Sequence, residues 1–206
     1  MPEPVPGAAD PRTDTGAEHA VVSSDTDALI LVDQSDREIG VLDKASCHDG
    51  GGILHRAFSI FILDRRGRVL LQQRAADKRL WPGFWSNSCC SHPRSGETLT
   101  LAIHRRVRQE LGLECQLRQL FRFEYRALDG ERGTEHELCS VHVGHSDREP
   151  VVNRNEIRAW RWIEPAALDI ELAEQPGQFT PWLHLEWRRI RRDHPEALTA
   201  KGQVRD

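Results

Sequence analysis

The segment NSCCSHP, residues 87–93, places two adjacent cysteines beside a histidine and so offers three kinds of chemistry. Cys89, Cys90 and His92 are compatible with half of a zinc site, half of a disulfide framework, or a catalytic thiol with a polar neighbour. The chain has five cysteines, an odd number at irregular spacing, and a bridge between adjacent residues is strained. It has no CxxC pair, which excludes a four-cysteine zinc site. The pattern therefore disfavours a disulfide and weakens structural zinc.

Three histidines and two glutamates form a second set. His48 and His55 flank the glycine-rich segment HDGGGILH, and Glu135 and Glu137 alternate on a strand-like run, so both carboxylates point to one face. With His92, this set suits Zn, Mn or Fe and, lacking a thiolate, is poor for a closed structural zinc. Spacing alone leaves open that these are scattered polar side chains. The histidines that we expect to be scattered polar residues without a role in metal binding are His19, His104, His142, His145, His184 and His194.

Basic residues cluster ahead of the cysteines. Arg74, Lys78 and Arg79 precede the aromatic turn WPGFW, and Lys44 lies four residues before His48. Arginine binds phosphate in a bidentate manner and lysine neutralises it as a point charge, so these residues are candidates for an anion site. The alternative for each is a solvated basic loop.

Residues 96–112 have a helical period and carry Glu97 and Glu110. This helix resembles part of the Nudix box, in which a glutamate-rich helix holds Mg²⁺ on a diphosphate. Arg106 and Gln109 replace two glutamates of that box. The resemblance therefore implies that the fold persists while the hydrolysis does not. An ordinary charged surface helix is the alternative.

The elements that must position these residues are read from the hydrophobic pattern. Strand-like runs lie at 28–33, 57–63, 69–74, 115–127, 136–145 and 156–164, and helices are indicated at 96–112 and 180–195. Strand pairs packed with helices indicate one α+β domain, a mixed α/β sandwich. We expect a disordered tail over residues 1–25, a domain over 26–190 and a polar tail over 191–206.

Composition excludes several classes of protein. The net charge of −4 is unfavourable for nucleic-acid binding driven by bulk charge. No apolar run approaches the roughly 20 residues that span a bilayer, and the N-terminus lacks the pattern of a signal peptide. We expect a cytoplasmic protein with no nucleic-acid or membrane partner, and a monomer.

Four segments together resemble the type 1 isopentenyl-diphosphate isomerases of the Nudix superfamily. They are HDGGGILH, WPGFWSNSCCSHP, RRVRQELG and YRALDGERGTEHELC, and the resemblance covers residues 27–187. It implies a Nudix-type fold and the interconversion of isopentenyl and dimethylallyl diphosphate by proton addition and removal. The implied cofactors are Mg²⁺ bound with the substrate diphosphate and one Zn²⁺ or Mn²⁺.

The resemblance also implies a role for individual residues. Cys90 and Glu137 match the proton-transfer pair, and Cys89 is assigned to packing. The implied metal ligands are His48, His55, His92, Glu135 and Glu137, with Glu110 and the Cys90 backbone near Mg²⁺. The implied diphosphate-binding residues are Lys44, Arg74, Lys78 and Arg106. The aromatic residues implied at the isoprenoid end are Tyr125 and Trp162.

Two other functions remain as alternatives. A Nudix hydrolase acting on a nucleoside diphosphate derivative is disfavoured by Arg106 and Gln109, and a non-catalytic binding protein is disfavoured by the intact Cys90 and Glu137. The three glycines between His48 and His55 raise the ordering cost of that loop. We therefore predict that the loop is mobile until metal or substrate binds.

Overall fold

The computed structural model describes residues 20–199, which form nine strands and four α-helices. The strands are β1 (Ala28–Val32), β2 (Glu38–Asp43), β3 (His55–Leu63), β4 (Val69–Arg74), β5 (Trp85–Ser86), β6 (Cys89–Ser91), β7 (Leu117–Leu128), β8 (Thr134–His145) and β9 (Ile157–Ile163). The helices are α1 (Lys44–His48), α2 (Leu99–Leu111), α3 (Pro165–Glu174) and α4 (Pro181–Asp193). Two short 3₁₀ segments cover residues 176–178 and 195–198.

Strand β3 is the centre of the mixed sheet. It pairs along its whole length in parallel with β8, and its middle pairs antiparallel with β6. Strand β8 pairs in turn with β7, and β4 pairs with β9. A central strand is covered on both faces, which explains why residues 57–63 read as a nearly continuous apolar run.

The two faces of the sheet bury separate groups of apolar side chains. On one face, Phe58, Ile60 and Ile62 of β3 pack beneath α2. On the other face, Ala57, Phe61 and Leu63 alternate with them and pack beneath α4. This period of two assigns every β3 and β8 side chain to one of the two layers, so the layer beneath α4 also receives His55 and Glu137. The result is the predicted single α+β sandwich.

Helix α2 begins three residues after the predicted start at residue 96, and both of its ends are capped. Thr98 is the N-cap, and its hydroxyl accepts a hydrogen bond from the amide of Leu101 at 3.3 Å. Gly112 ends the helix with φ 62°, the left-handed conformation that glycine adopts without steric cost. Helix α4 begins after Thr180 with Pro181 at its first turn, close to the start of the helix predicted over 180–195. The Thr180 hydroxyl makes no cap bond, however, and lies 3.1 Å from the Ser86 hydroxyl.

The ordered structure extends beyond both predicted boundaries. Residues 1–19 of the predicted tail lie outside the described residues, but Val22 is buried and the Ala20 carbonyl accepts a hydrogen bond from Asn153. At the other end, α4 continues to Asp193 and Leu198 is buried beneath it. Polar composition concealed these contacts, because they use backbone carbonyls and isolated apolar side chains. In the described part of the chain, no helix has the length and apolar character needed to cross a membrane.

Candidate active site

The histidine–glutamate cluster assembles where α1, β3, β6 and β8 converge. Glu135 and Glu137 share one face of β8, and His55 begins β3 directly opposite Glu137. His48 ends α1, a helix that the hydrophobic pattern did not predict, and His92 follows β6. One ligand atom from each of these five residues lies within 4.8 Å of all the others. Four separate elements therefore deliver five donors to one point.

Backbone contacts aim the histidine rings into the cluster. Nδ1 of His48 lies 2.6 Å from the Lys44 carbonyl, and Nδ1 of His55 lies 2.7 Å from the Ile53 carbonyl. Each contact leaves Nε2 pointing inward, the arrangement by which carbonyls orient metal-binding histidines. A close approach makes this packing possible, because a Cβ at Gly133 would clash with the His48 carbonyl oxygen.

The charges in the cluster are poorly balanced by protein groups alone. His55 is fully buried, and its Nε2 has no hydrogen-bond partner among the described residues. Burial opposes ionisation of Glu135, yet the His48 ring, 2.7 Å away, holds the pKa of Glu135 well below its usual range. Burial and the neighbouring Glu135 raise the pKa of Glu137 well above its usual range. An unpartnered imidazole nitrogen between two carboxylates fits a divalent cation.

The thiol of Cys90 and the carboxyl of Glu137 open onto the same cavity. This cavity has a volume of about 270 Å³ and is also lined by Tyr125, Arg74 and Trp182. The Tyr125 hydroxyl donates to Glu137 Oε2 at 2.8 Å. Arg74 Nη1 lies 3.8 Å from the Cys90 sulfur, but burial outweighs this cation and raises the pKa of the thiol to about 12. The Cys90 side chain is therefore a neutral thiol at physiological pH.

Lys44, Lys78 and Arg106 form a basic end of the cavity around Glu156, and the fourth predicted cation, Arg74, lines the cavity beside Cys90. Glu156, which sequence reasoning missed, pairs with Lys78 and lies 3.2 Å from Arg106 Nη2. Arg106 Nη2 also lies 2.6 Å from Glu110. Burial, with a smaller contribution from Lys78, lowers the pKa of Lys44 to about 8.

Residues 20–25 cross this basic end as an ordered strap. The Val22 carbonyl accepts a hydrogen bond from Arg106 Nη1 at 2.6 Å, and the Ser23 hydroxyl accepts one from Lys44 Nζ at 2.6 Å. Val21, Ser23 and Asp25 line the cavity. The segment predicted as part of a disordered tail is therefore a wall of the site.

The two adjacent cysteines face opposite layers. Cys90 points into the cavity layer, whereas Cys89 is buried beneath α2 among apolar side chains. The Cys89 thiol donates to Glu110 Oε1 at 3.3 Å. Glu110 is itself buried and lies behind the cavity rather than on its surface.

Trp162 is the predicted site residue that the structure places elsewhere. It pairs with Leu70 on β4 and packs in the layer beneath α2, on the far face of the sheet from the cavity. The aromatic residue that lines the cavity is Trp182, on the first turn of α4. The spacing of aromatics did not identify it, because no local pattern tells which face of a strand or helix meets a distant cavity. Trp182 Nε1 donates to Ser86 and Asn87 at 3.0 and 3.1 Å.

Comparisons with known proteins agree with this architecture. The NUDIX domain family matches residues 53–183. The isopentenyl-diphosphate Delta-isomerase of Burkholderia multivorans is 46% identical over 156 residues, 76% of this chain and 88% of the relative. Isopentenyl-diphosphate Delta-isomerase 1 of Photorhabdus laumondii is 39% identical over 172 residues, 82% of this chain and 98% of the relative.

A solved structure from Deinococcus radiodurans superposes with a TM-score of 0.66 at 24% identity, covering 80% of this chain and 99% of that one. This likeness concerns the fold, and the two isomerase relatives supply the narrower placement. The chain belongs to the isopentenyl-diphosphate Delta-isomerases within the NUDIX domain family.

Proposed function

We propose that this protein interconverts isopentenyl diphosphate and dimethylallyl diphosphate by adding a proton to one carbon and removing one from another. One observation carries the proposal: the Cys90 thiol and the Glu137–Tyr125 pair open onto the same cavity, whose other end is basic. A diphosphate at the basic end leaves the five-carbon chain between the two proton-transfer groups.

Protonation of an unactivated alkene requires an acid and gives a tertiary carbocation, so the site must also exclude water. The Cys90 thiol is neutral, and burial and Glu135 favour the protonated form of Glu137. Each group is thus able to hold a proton within the cavity. Which of them donates first depends on the direction of the reaction.

The metal assignments belong to the proposal as well. The His/Glu cluster is suited to one Zn²⁺ or Mn²⁺, with Glu137 as a ligand and a proton-transfer group. A bound cation there lowers the proton affinity of a coordinated carboxylate. We assign Glu110 and the Cys90 backbone to Mg²⁺ bound with the diphosphate. The Cys89 thiol and the Arg106 guanidinium both donate to Glu110 Oε1 and so fix the orientation of this carboxylate.

The basic end is proposed to bind the substrate diphosphate through Lys44, Arg74, Lys78 and Arg106. Glu156 holds Lys78 and Arg106 close to each other, so the two cations are positioned before an anion arrives. We further propose that the protein is a cytoplasmic monomer whose partner is this small-molecule substrate, without nucleic-acid or membrane partners.

A Nudix hydrolase is the second candidate function, and one contact disfavours it. Arg106 replaces an acidic residue of the Nudix box and forms an ion pair with Glu110 at 2.6 Å. The remaining glutamate of that helix is therefore partly neutralised by a neighbour from its own helix. The arrangement is less suited to metal-assisted attack by water than a set of free carboxylates.

The deciding experiment is incubation of the purified protein with isopentenyl diphosphate and Mg²⁺, followed by an assay for an acid-labile allylic product. We expect that product, and we expect Cys90→Ala to abolish its formation. Absence of the product, with phosphate released from nucleotide substrates instead, would favour the hydrolase. Full turnover by Cys90→Ala would remove the thiol from the mechanism.

Two tryptophans form a matched pair that tests whether an aromatic face stabilises the carbocation formed in the cavity. Trp182 lines the cavity, whereas Trp162 packs on the far face of the sheet. A cation–π contact contributes up to about 2 kcal/mol when desolvated, or roughly 30-fold in rate. We expect Trp182→Leu to lower kcat by about that factor, while Trp162→Leu changes stability and leaves kcat within about twofold. Equal effects on kcat would contradict this assignment.

A further inference from the structure

Trp81 has a backbone conformation that an L-amino acid rarely adopts. Its φ is 45°, and among the non-glycine residues of 20–199 it shares a positive φ only with Asp36. A bulky residue in this region is strained unless neighbouring contacts hold it there. Pro82 follows, and a residue before proline otherwise favours the extended region. A contact from outside the WPGFW turn must therefore hold Trp81 in this conformation.

That contact comes from Asp129, at the start of the turn between β7 and β8. The Asp129 carboxylate is buried, and its Oδ2 accepts a hydrogen bond from the Trp81 amide at 2.7 Å. The Arg132 guanidinium donates to both carboxylate oxygens, at 2.7 and 2.9 Å, and so fixes the carboxylate in turn. The amide and its acceptor are 48 residues apart in the chain. The bond therefore joins the β7–β8 turn to the aromatic turn.

The turn between β3 and β4 has the same construction but uses its aspartate differently. In both turns the amide of the aspartate donates to the carbonyl four residues later, at 3.0 Å for Asp64 and 2.9 Å for Asp129. Asp64 Oδ1 also accepts from the amides of Arg66 and Arg68, so this carboxylate closes its own turn. Asp129 Oδ2 is directed to Trp81 instead. Closure of the hairpin therefore does not explain the contact between Asp129 and Trp81.

The conformation of Trp81 places two backbone carbonyls against the Arg74 guanidinium. Arg74 Nη2 donates to the Leu80 carbonyl at 2.8 Å, and Arg74 Nε lies 3.2 Å from the carbonyls of Leu80 and Trp81. Arg74 Nη1 faces the cavity, 3.8 Å from the Cys90 sulfur. Because the guanidinium is planar and its donors are rigidly arranged, these carbonyls fix its orientation beside Cys90.

The same turn also supports the aromatic wall of the cavity. The rings of Trp81 and Trp182 meet edge to face, with centroids 5.2 Å apart and planes at 90°. The guanidinium carbon of Arg74 lies 5.3 Å from the centroid of the Trp182 ring. One backbone conformation therefore sets the positions of a cation and an aromatic ring that both line the cavity.

This inference rests on the proposed isomerase function. We propose that Asp129 is a positioning residue for the reaction, because its carboxylate holds Trp81 in the left-handed conformation that fixes Arg74 and Trp182. Asp129 lies outside the cavity lining and acts through the Trp81 amide. Without this bond, Trp81 relaxes toward the extended conformation that Pro82 favours, and the two carbonyls move away from Arg74.

Two substitutions of opposite kind test the proposal. Asp129→Asn keeps an oxygen in place but removes the charge, whereas Asp129→Glu keeps the charge but moves the oxygens by one methylene. We expect Asp129→Asn to keep kcat within about twofold, because an amide oxygen accepts the same hydrogen bond. Asp129→Glu should lower kcat at least about tenfold, because a misplacement of about 1 Å can cost roughly 100-fold in rate. The basic end keeps its own contacts, so KM should change less than kcat.

Near-ultraviolet circular dichroism measures the positioning without substrate. The edge-to-face pair of Trp81 and Trp182 contributes a band that Trp182→Leu removes. Asp129→Glu should weaken the same band, and Asp129→Asn should retain it. Asp64→Glu is the matched control, since Asp64 is also buried in a hairpin turn and paired with an arginine. This control should lower the melting temperature but leave kcat and the band as in wild type.

Three results would overturn the proposal. If Asp129→Glu retains kcat while Asp129→Asn loses it, the charge of the carboxylate matters and its hydrogen bond to Trp81 does not. If neither variant changes kcat, Asp129 has no role in turnover. If Asp129→Glu loses its bound metal together with its activity, the β7–β8 turn acts through the end of α1, against which Gly133 packs.

A variant that does not fold also leads to a decision. Should Asp129→Glu fail to fold, Asp129→Ser replaces it with the same expectations, because its oxygen is too short to reach the Trp81 amide. Failure of both to fold would show that the carboxylate serves the fold and not the position of Arg74. Failure of the isomerase function itself is distinguishable, because the wild-type protein then forms no allylic product while the dichroism band still reports the Trp81 position.

Discussion

The two ends of the cavity differ in the charge of their side chains and in how far protein contacts already satisfy those charges. At the His/Glu end, two glutamates and three histidines converge, and His55 Nε2 has no hydrogen-bond partner among residues 20–199. At the basic end, Lys78 and Arg106 already share Glu156, and the strap of residues 20–25 accepts bonds from Lys44 and Arg106.

This difference indicates how each end responds to its ligand. A cation at the His/Glu end gives the His55 nitrogen and the two glutamates a partner that the protein supplies only in part, so its binding should stabilise the fold strongly. An anion at the basic end must compete with Glu156 and the strap for the same cations. Binding of the anion should therefore stabilise the fold less than binding of the cation does. The basic side chains are already held in place, and this favours an anion that matches their positions.

The largest effect is expected at Glu137, the residue that belongs to both the metal set and the proton-transfer pair. Glu137→Gln removes a charged ligand and a proton carrier together, and general acid–base groups contribute about 10²–10⁴ in rate. We expect turnover of isopentenyl diphosphate to fall about 10³-fold, with metal content of the purified protein also reduced. Glu135→Gln is the control, since it removes a ligand but leaves the Tyr125–Glu137 hydrogen bond intact. Equal loss of turnover in both variants would show that metal binding alone matters.

The second prediction compares the two ends by thermal unfolding. A divalent cation at 100 times its dissociation constant adds about 2.7 kcal/mol, which corresponds to roughly 5–10 °C for a domain of this size. We expect Zn²⁺ or Mn²⁺ to give such a shift to chelator-treated wild-type protein, but not to His55→Ala. Inorganic pyrophosphate added to the same metal-free protein should give less than half of it. His184→Ala, on the outer side of α4, should behave as wild type. A larger shift with pyrophosphate than with the metal would show that the basic end, and not the His/Glu end, gains more stability from its ligand.

At the His/Glu end, the common face of the two glutamates was predictable from the sequence for a physical reason, whereas the three histidines were assigned as ligands through the family resemblance. Glu135 and Glu137 alternate on one strand, so their common face follows from the period of two. The fold class and the C-terminal end of α2 also followed, because a four-residue apolar repeat ended at a glycine in a left-handed conformation, whereas the helix begins at Leu99 and not at the predicted residue 96. These features depend on local pattern or on a motif contained in a short segment.

The features that escaped prediction depend on contacts between distant segments. Trp182 and Glu156 reach the site from elements far along the chain, and no sequence pattern in their own segments predicts that they line the cavity. Trp162 was misplaced because its strand presents aromatic side chains to the layer beneath α2, away from the cavity. The strap was missed because it is held mainly through backbone carbonyls, which any residue type provides.

A third prediction concerns the pH dependence of the basic end. Burial lowers the pKa of Lys44 to about 8, so the side chain is charged below this pH and neutral above it. The attraction for a diphosphate is therefore present at pH 7 and declines as the pH rises through 8. We expect KM for isopentenyl diphosphate to rise several-fold, and at most about tenfold, between pH 7 and pH 9. Lys44→Arg keeps its charge over this range and should have a flat KM profile. Parallel profiles in the two proteins would assign the change to another group.

The smallest effect is expected at Cys89, the neighbour of Cys90 on the opposite face of β6. Its thiol donates to Glu110 Oε1 at 3.3 Å, but a thiol is a weak donor and Arg106 already contacts the same oxygen at 2.8 Å. Valine fills a similar volume among the apolar side chains beneath α2. Cys89→Val should therefore change the free energy of unfolding by less than about 1 kcal/mol and leave kcat unchanged. Its Mg²⁺ requirement, measured by titration of activity, should rise less than about fivefold. Cys90→Val, one residue away, should abolish turnover. A Cys89→Val variant that loses activity as completely would show that the orientation of Glu110 matters as much as the thiol inside the cavity.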